Sequence, residues 1–344
     1  VNGSTAYITH PRYQEHDLGE HPEHAGRIRA VWQRMYEGGL LDRLVVREAV
    51  EATGAQIAAV HTEDYLQTLE RVSEQSRIMR IDADTYALPV SYEIARLSAG
   101  AQTLGVDLIF TDEVTRAVCA TRPPGHHAIA GRGMGFCLLA NVAIAARHAQ
   151  HAYGVERVLI VDFDVHHGNG TEAIFYDDPS VLFVSTHQAP LYPGTGALED
   201  TGTGAGAGTT LNLPVPANTG DAGLLALFDE VIAPAVERYR PGFIIASAGF
   251  DAHWLDPLAG LRVTSTGFAH IAQRLNAMAD RSCGGRILYG MEGGYNVDAL
   301  SYGMSNIARV CLGDAPIDPL GAPPPRPEPD LTGLIAKARR IHGL

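Results

Sequence analysis

Four apolar runs in this chain each break off into residue types that do chemistry. Residues 116–120 lead into Arg122-Pro123-Pro124-Gly125-His126-His127, and residues 157–161 into Asp162-Phe163-Asp164-Val165-His166-His167-Gly168-Asn169. Residues 243–247 lead into Ala248-Gly249-Phe250-Asp251, and residues 286–289 into Glu292-Gly293-Gly294-Tyr295. Ligands of open parallel sheets bind beyond the carboxyl ends of the strands, so four such endings mark a single site. On an extended chain, positions i, i+2 and i+4 share one face. That spacing turns Asp162, Asp164 and His166 the same way, where a carboxylate and an imidazole can grip one divalent ion. Asp251 ends another apolar run and is the candidate third ligand. Two carboxylates with one imidazole leave coordination positions open, which suits a catalytic metal better than a closed structural one. Zinc is the default ion, and Fe(II) or Co(II) would accept the same donors.

Water activated by such an ion needs a base nearby, and a leaving amine needs an acid. His126 and His127, in a turn shaped by Pro123, Pro124 and Gly125, are the candidates. Tyr295 follows two glycines, whose backbone freedom allows an unusual approach, and its hydroxyl can donate to a developing oxyanion.

The elements that must position these groups are legible as short β-branched runs alternating with longer alanine-rich helical patterns. This is the pattern of a parallel sheet covered by helices. Strands are expected at 5–9, 116–120, 157–161, 181–185, 243–247 and 286–289. Helices are expected at 23–37, 62–76, 91–104, 141–152, 222–239, 265–281 and 297–312. The glycine-rich stretch 194–210 reads as a loop. The expected organisation is one catalytic domain over residues 1–320, then a Pro-rich linker and a basic helical tail over 321–344.

Composition narrows the function. Among 344 residues, 39 acids outnumber 26 Lys and Arg, for a formal charge of −13. A net anion is a poor partner for a phosphate backbone or an anionic membrane, so neither nucleic acid nor membrane is expected as a direct partner. Hydrophobic residues at 46% and charged residues at 19% indicate a globular chain. Lys337 is the single lysine, which reads as a compositional bias toward arginine. Cys119, Cys137, Cys283 and Cys311 lie far apart and read as reduced core residues of a cytoplasmic protein. No apolar run approaches the ~20 residues of a membrane span. Residues 1–10 lack a basic-then-apolar signal pattern.

Taken as a set, six segments resemble the histone deacetylase superfamily, which includes bacterial deacetylase-like amidohydrolases and acetylpolyamine amidohydrolases. They are Arg122-Pro-Pro-Gly-His-His127, Gly135-Phe136-Cys137, Asp162-Phe-Asp-Val-His-His-Gly-Asn-Gly170, Ala248-Gly-Phe-Asp-Ala252, Asp256-Pro257-Leu258 and Glu292-Gly-Gly-Tyr-Asn296. The similarity spans residues 5–314 and is nearest to class II members, through Asn169 and through His21-Pro22-Glu23. It implies the single-domain arginase/deacetylase α/β fold, with a parallel sheet of about eight strands covered by helices.

Carried over position by position, the resemblance implies Asp164, His166 and Asp251 as zinc ligands. It pairs His126 with Asp162 and His127 with Asn169, and makes Tyr295 the oxyanion donor. Phe136 and Tyr192 become the aromatic walls of an acyl-lysine channel, Tyr192 standing where the family usually has Phe and making the channel slightly more polar. Asp84 matches a rim position that accepts a substrate amide N–H, and Gly135, Gly294 and Leu258 complete the substrate-binding set. Arg27 matches an arginine lining an internal channel behind the metal. Asp162, Asp164, His166, Ser185 and Thr186 match a monovalent-cation site for potassium, and Phe175, Asp178 and Val181 match a second.

The implied activity is zinc-dependent removal of acetyl or other acyl groups from acyl-lysine, releasing a carboxylate and a primary amine. A histidine bonded to Asp is pushed toward imidazolium, and one bonded to neutral Asn less so. His127 is therefore the expected resting base and His126 the electrostatic stabiliser. Deacylation of acetylated polyamines is the close rival. Polyamine-specific relatives place acids near the tunnel mouth and carry a long dimerising insertion, whereas residues 67–82 are short for that insertion and Leu258 is not an acid. A silent acyl-lysine-binding module would need a damaged catalytic position, and the sequence has none. An arginase-like two-metal site would leave His126, His127 and Tyr295 without a role.

Overall fold

The computed structural model describes residues 4–75 and 77–344. Its strands are β1 (Thr5–Thr9), β2 (Val45–Glu48), β3 (Met79–Arg80), β4 (Tyr86–Ala87), β5 (Arg116–Cys119), β6 (Val158–Asp162), β7 (Val181–Gln188), β8 (Thr210–Val215), β9 (Phe243–Ala248) and β10 (Ile287–Met291). Among the described residues, eight of them form one sheet in the order β2-β1-β5-β10-β9-β6-β7-β8. Every pairing in it is parallel. β3 and β4 make a separate antiparallel ribbon. This is the parallel α/β sheet that the sequence leads one to expect.

The central strands read VLIVD, FIIASA and ILYGM and are buried at every position. A strand with no polar face needs cover on both sides. The helices Ser91–Phe110 and Asn141–Tyr153 pack on one another and on the sheet; Gly26–Glu37, Ser265–Cys283 and Val297–Leu312 form a second packed group on the same strands. The sheet order does the functional work. β5, β10, β9 and β6 are consecutive, and their register sets Gly290 beside Cys119 and Ser247, and Asp162 beside Ser247 and Ser185. The four polar strand endings therefore emerge side by side.

Several expectations need adjustment. β2, β8 and the helix Asn169–Phe175 form without a strong pattern in the sequence. The expected helix at 222–239 is broken into Asp221–Leu227, a π-helical turn Phe228–Ile232 and Ala233–Tyr239. Pro234, which has no N–H to donate, sits at the start of the last piece. The helix expected at 62–76 forms over Glu63–Ser73, and Ser76 lies outside the described residues. The helix Thr332–His342 does not trail from the domain. It buries Ile335 and Ala338 against β8 and the Phe228–Ile232 turn, while the Glu328 carboxylate accepts the N–H groups of Gly220 and Gly223 at 2.9 and 2.8 Å.

Gly100 shows how tightly the layers approach. A Cβ there would lie 1.7 Å from the Val50 carbonyl oxygen, so the buried helix Ser91–Phe110 rests directly on the backbone of the 50–52 segment. In an exposed helix, Gly→Ala gains about 1 kcal/mol. Here Gly100→Ala should instead destabilise the protein, by about 1–3 kcal/mol, the usual cost of overpacking. Chemical denaturation checks this, and a raised midpoint would mean that the 50–52 segment yields freely.

Candidate active site

The strand β6 ends at Asp162, and the chain bends over 164–166 instead of staying extended. The shared-face argument therefore does not describe this segment. Side chains organise the bend: Asp162 Oδ1 accepts the Asp164 N–H at 3.1 Å, and Asp164 Oδ1 accepts the His166 N–H at 2.9 Å. Asp251, from the end of β9, is drawn in by the Val165 N–H at 2.9 Å. Asp164 Oδ2 accepts the Gly293 N–H at 2.8 Å. The result is a compact trio. His166 Nδ1 lies 3.1 Å from Asp164 Oδ1 and 3.1 Å from Asp251 Oδ2. The ligating atoms of Asp164, His166 and Asp251 all fall within 4.8 Å of one another, and all three residues are buried.

The donor set fits a divalent cation. Burial and then the Asp164 charge push Asp251 up to about 7, because two adjacent carboxylates out of water lack enough positive charge. Burial opposes ionisation of Asp164 as well, but His126 and His166 outweigh it and hold Asp164 below the usual carboxylate range. A bound cation would relieve both carboxylates.

His126 and His127 stand with ring centroids 3.9 Å apart beside this trio. His126 Nδ1 lies 2.9 Å from Asp162 Oδ2, and His127 Nδ1 lies 2.7 Å from Asn169 Oδ1. Their electrostatics diverge. Burial disfavours charge on His126, but Asp164 and Asp162 outweigh it and raise the ring well above the usual imidazole range. Burial, His126 and His166 together hold His127 well below it. Tyr295 is reached through Gly293 and Gly294. A Cβ on Gly293 would lie 2.2 Å from Asp251 Oδ2, and Gly294 has φ +126°, so this segment needs both glycines. Asp256 Oδ2 accepts the N–H groups of Tyr295 and Asn296 at 2.7 and 3.2 Å. Burial raises the Tyr295 phenol, which stays a donor.

A cavity of about 200 Å³ opens onto these groups, lined by Asp84, His127, Gly135, Phe136, His166, Leu191, Tyr192, Leu258 and Tyr295. Phe136 stands edge-on to Tyr295 at 5.7 Å, and Tyr192 edge-on to His127 at 5.1 Å. Gly294 is not among the lining residues; its carbonyl accepts from Arg27 Nε at 2.7 Å. A larger cavity, about 850 Å³, shares Leu191 and Tyr192 but lies behind them, toward the helix Thr332–His342. The convergent imidazoles and the phenol lie at the smaller cavity, which is why we take that one as the site.

Ser185 pairs with Asp162 across β6 and β7, and its hydroxyl meets His187 Nδ1 at 3.0 Å, while the Thr186 hydroxyl is buried without a side-chain partner among the described residues. Phe175 ends the helix Asn169–Phe175, and Val181 begins β7. The Asp178 carboxylate between them is taken up by Arg147 and Ser180, at 2.6 Å each.

The sequence reading quoted Glu23 and Arg122 inside their motifs and gave neither a role. Glu23 and Arg122 are both fully buried. Arg122 grips both Glu23 oxygens, Nε to Oε1 at 2.8 Å and Nη2 to Oε2 at 2.7 Å, and Arg27 Nη1 adds a bond to Oε1 at 2.9 Å. Arg27 also donates to the Glu292 carbonyl at 2.5 Å. Charged residues inside the His21-Pro-Glu and Arg-Pro-Pro-Gly motifs were the available signal, since such groups are rarely buried unpaired.

The fold and this arrangement set a group of candidate metal ligands and two histidines at the carboxyl ends of a parallel sheet, and comparison with known proteins gives the family. The chain belongs to the histone deacetylase domain family, whose model matches residues 21–311. It is 40% identical over 358 residues to the chloroplastic histone deacetylase 10 of Oryza sativa subsp. japonica, covering 98% of this chain and 81% of that one. It is 37% identical to the polyamine deacetylase HDAC10 of Mus musculus, covering 90% of this chain but 46% of that protein. The crystal structure of the HDA15 HD domain superposes with a TM-score of 0.90 at 35% identity, covering 99% of this chain and 95% of that one.

Glu23 generates a stability prediction. Burial opposes its ionisation, but Arg122 and then Arg27 hold it below the usual carboxylate range. A depressed carboxylate contributes stability above its unfolded pKa and loses it as pH falls. Glu23→Gln should cost about 3–5 kcal/mol at pH 7 by leaving buried guanidiniums uncompensated. The gap to wild type should narrow below about pH 4, as followed by urea denaturation across pH. A gap that is small at pH 7 would mean that water reaches the two arginines.

Proposed function

We propose that this protein is a zinc-dependent amidohydrolase that removes acyl groups, acetyl foremost, from the side-chain amine of acyl-lysine. The carrying observation is the convergence, beside one narrow cavity, of a two-carboxylate, one-imidazole donor set with two histidines of opposite electrostatics and a half-buried tyrosine. Asp164, His166 and Asp251 would hold the metal. When bound, zinc supplies Lewis acidity to a carbonyl oxygen and makes water a nucleophile near neutral pH.

The chain's own groups do the rest. Phe136 and Tyr192 hold an alkyl stem between their rings, and Asp84 at the mouth accepts a substrate N–H. Tyr295 donates to the carbonyl oxygen as negative charge develops there. His127, kept neutral, accepts the proton of the attacking water and later returns one to the departing amine. His126, kept charged by Asp162 and Asp164, stabilises the negative charge of the transition state. Asp162 also stands beside Ser185, and a potassium ion there would steady the end of β6.

Acetylated polyamines are the second reading. Asp84 favours it: burial and the neighbouring Asp82 raise its carboxyl, so that the pair would welcome a cation. Leu258 opposes it, offering a distal ammonium only apolar contact at the cavity. Turnover of acetyl-lysine peptides and acetylspermidine, compared before and after metal chelation and zinc readdition, tests both readings. We expect loss on chelation, recovery with zinc, and the higher kcat/KM on the peptide. A preference for acetylspermidine would transfer the substrate assignment, and activity indifferent to chelation would overturn the metal assignment.

Tyr295→Phe should lower kcat by about 10²–10³-fold, the value of one oxyanion donor, with folding and bound zinc unchanged. A folded, zinc-loaded variant with near-normal kcat would reduce Tyr295 to a packing role.

A further inference from the structure

Glu292 takes no part in the reaction described above, yet its carboxylate meets the backbone of the histidine turn. It leaves the end of β10 fully buried. Its Oε2 accepts two backbone donors, the N–H of Gly125 at 2.6 Å and that of His126 at 3.1 Å. Its Oε1 has no hydrogen-bond partner among the described residues. Arg27 donates to the main-chain carbonyl of Glu292 and not to its carboxylate. A buried carboxylate held only by backbone donors is expensive, so its presence calls for a role.

The two N–H groups belong to the turn from which His126 and His127 diverge. The rings reach from that turn to partners on two other elements, Asp162 at the end of β6 and Asn169 at the start of the helix Asn169–Phe175, at 2.9 and 2.7 Å. The Gly170 and Thr171 N–H groups meanwhile return to the His126 carbonyl at 3.0 and 3.2 Å. The turn is thus anchored at its carbonyls by the helix Asn169–Phe175 and, at Pro123, by the Ser98 and Asn141 side chains, and at its N–H groups by Glu292 alone among the side chains described. We propose that Glu292 is a positioning residue: its one oxygen, shared by the Gly125 and His126 amides, ties the end of β10 to the histidine turn. This sets the distance from His127 to the reacting carbonyl carbon relative to Tyr295, which follows three residues later. The proposal rests on the catalytic reading of the histidine pair, and it assigns Glu292 a geometric effect, not one of charge.

Reach and charge can be separated by substitution. Glu292→Gln keeps the length and a carbonyl acceptor but no charge. Glu292→Asp keeps the charge and is one methylene shorter. Glu292→Ala removes both. On whichever amide the wild type turns over best, Glu292→Gln should keep kcat within about threefold, since a neutral acceptor still satisfies both amides. Glu292→Asp and Glu292→Ala should lose about 10–10²-fold in kcat, the scale of a small misplacement of catalytic groups. KM and bound zinc should hold in all three. Hydrogen exchange read by NMR gives a measure independent of turnover: protection of the Gly125 and His126 amides should survive in Glu292→Gln and be lost in Glu292→Asp and Glu292→Ala. A wild type inactive on every amide would defeat the functional reading, while the exchange pattern would still decide the anchoring. Activity retained by Asp and lost by Gln would overturn the proposal in favour of charge, and so would protection that Ala leaves intact. If Glu292→Ala does not fold, the Gln and Asp pair decides alone.

Discussion

The carboxylate of Glu23, buried between the guanidiniums of Arg27 and Arg122, is the contact on which the rest of the site hangs. Arg122 opens the turn that carries His126 and His127, and Arg27 holds the carbonyls of Glu292 and Gly294 just ahead of Tyr295. One anion outside the sheet therefore couples the ends of β5 and β10. Apolar burial builds the sheet but is non-directional. It cannot by itself place loop side chains to a fraction of an ångström. Charge-assisted hydrogen bonds in fixed fork geometry can, and here they form one connected network behind the candidate metal ligands. The desolvation cost of three charges is offset by their mutual pairing and by the backbone carbonyls that take the remaining donors.

A second consequence of burial is that two adjacent, chemically identical rings become different reagents. His126 faces Asp162 and Asp164, while His127 faces an amide and its own positively charged neighbour. Beyond the Asp164 charge near His126 and the burial and positive neighbours of His127, the rings differ in their direct partner, a carboxylate or an amide oxygen at nearly the same distance. Asn169 therefore contributes to the asymmetry of the pair, since a carboxylate there would push His127 toward the charged form.

Much of this was legible in the sequence. The apolar runs of β5, β6, β9 and β10 and the polar residues after them pointed to strand ends that the sheet order brings side by side. Val297–Leu312 and Thr5–Thr9 form where their patterns say. The misses have physical causes. β2 is a largely exposed edge strand whose pairing with β1 depends on the rest of the sheet. The bend at 164–166 is made by carboxylates accepting backbone N–H groups, a tertiary arrangement that strand periodicity does not encode. Glu23 was hidden because a charge in a sequence looks exposed until its partners, at position 27 and at the distant position 122, are known. Glu292 stood in its motif without a role of its own, since its partners lie 166 and 167 residues away.

The helix Thr332–His342 lies against β8, at one end of the sheet, and is made from residues that follow every strand in the chain. During synthesis, the eight strands are complete in the nascent polypeptide well before that helix leaves the ribosome. For that interval β8, paired on one side only, lacks the apolar cover of Ile335 and Ala338, and exposed edge strands are where sheets recruit foreign strands. A product clipped within that helix would emerge with β8 stripped of the cover that Ile335 and Ala338 give it.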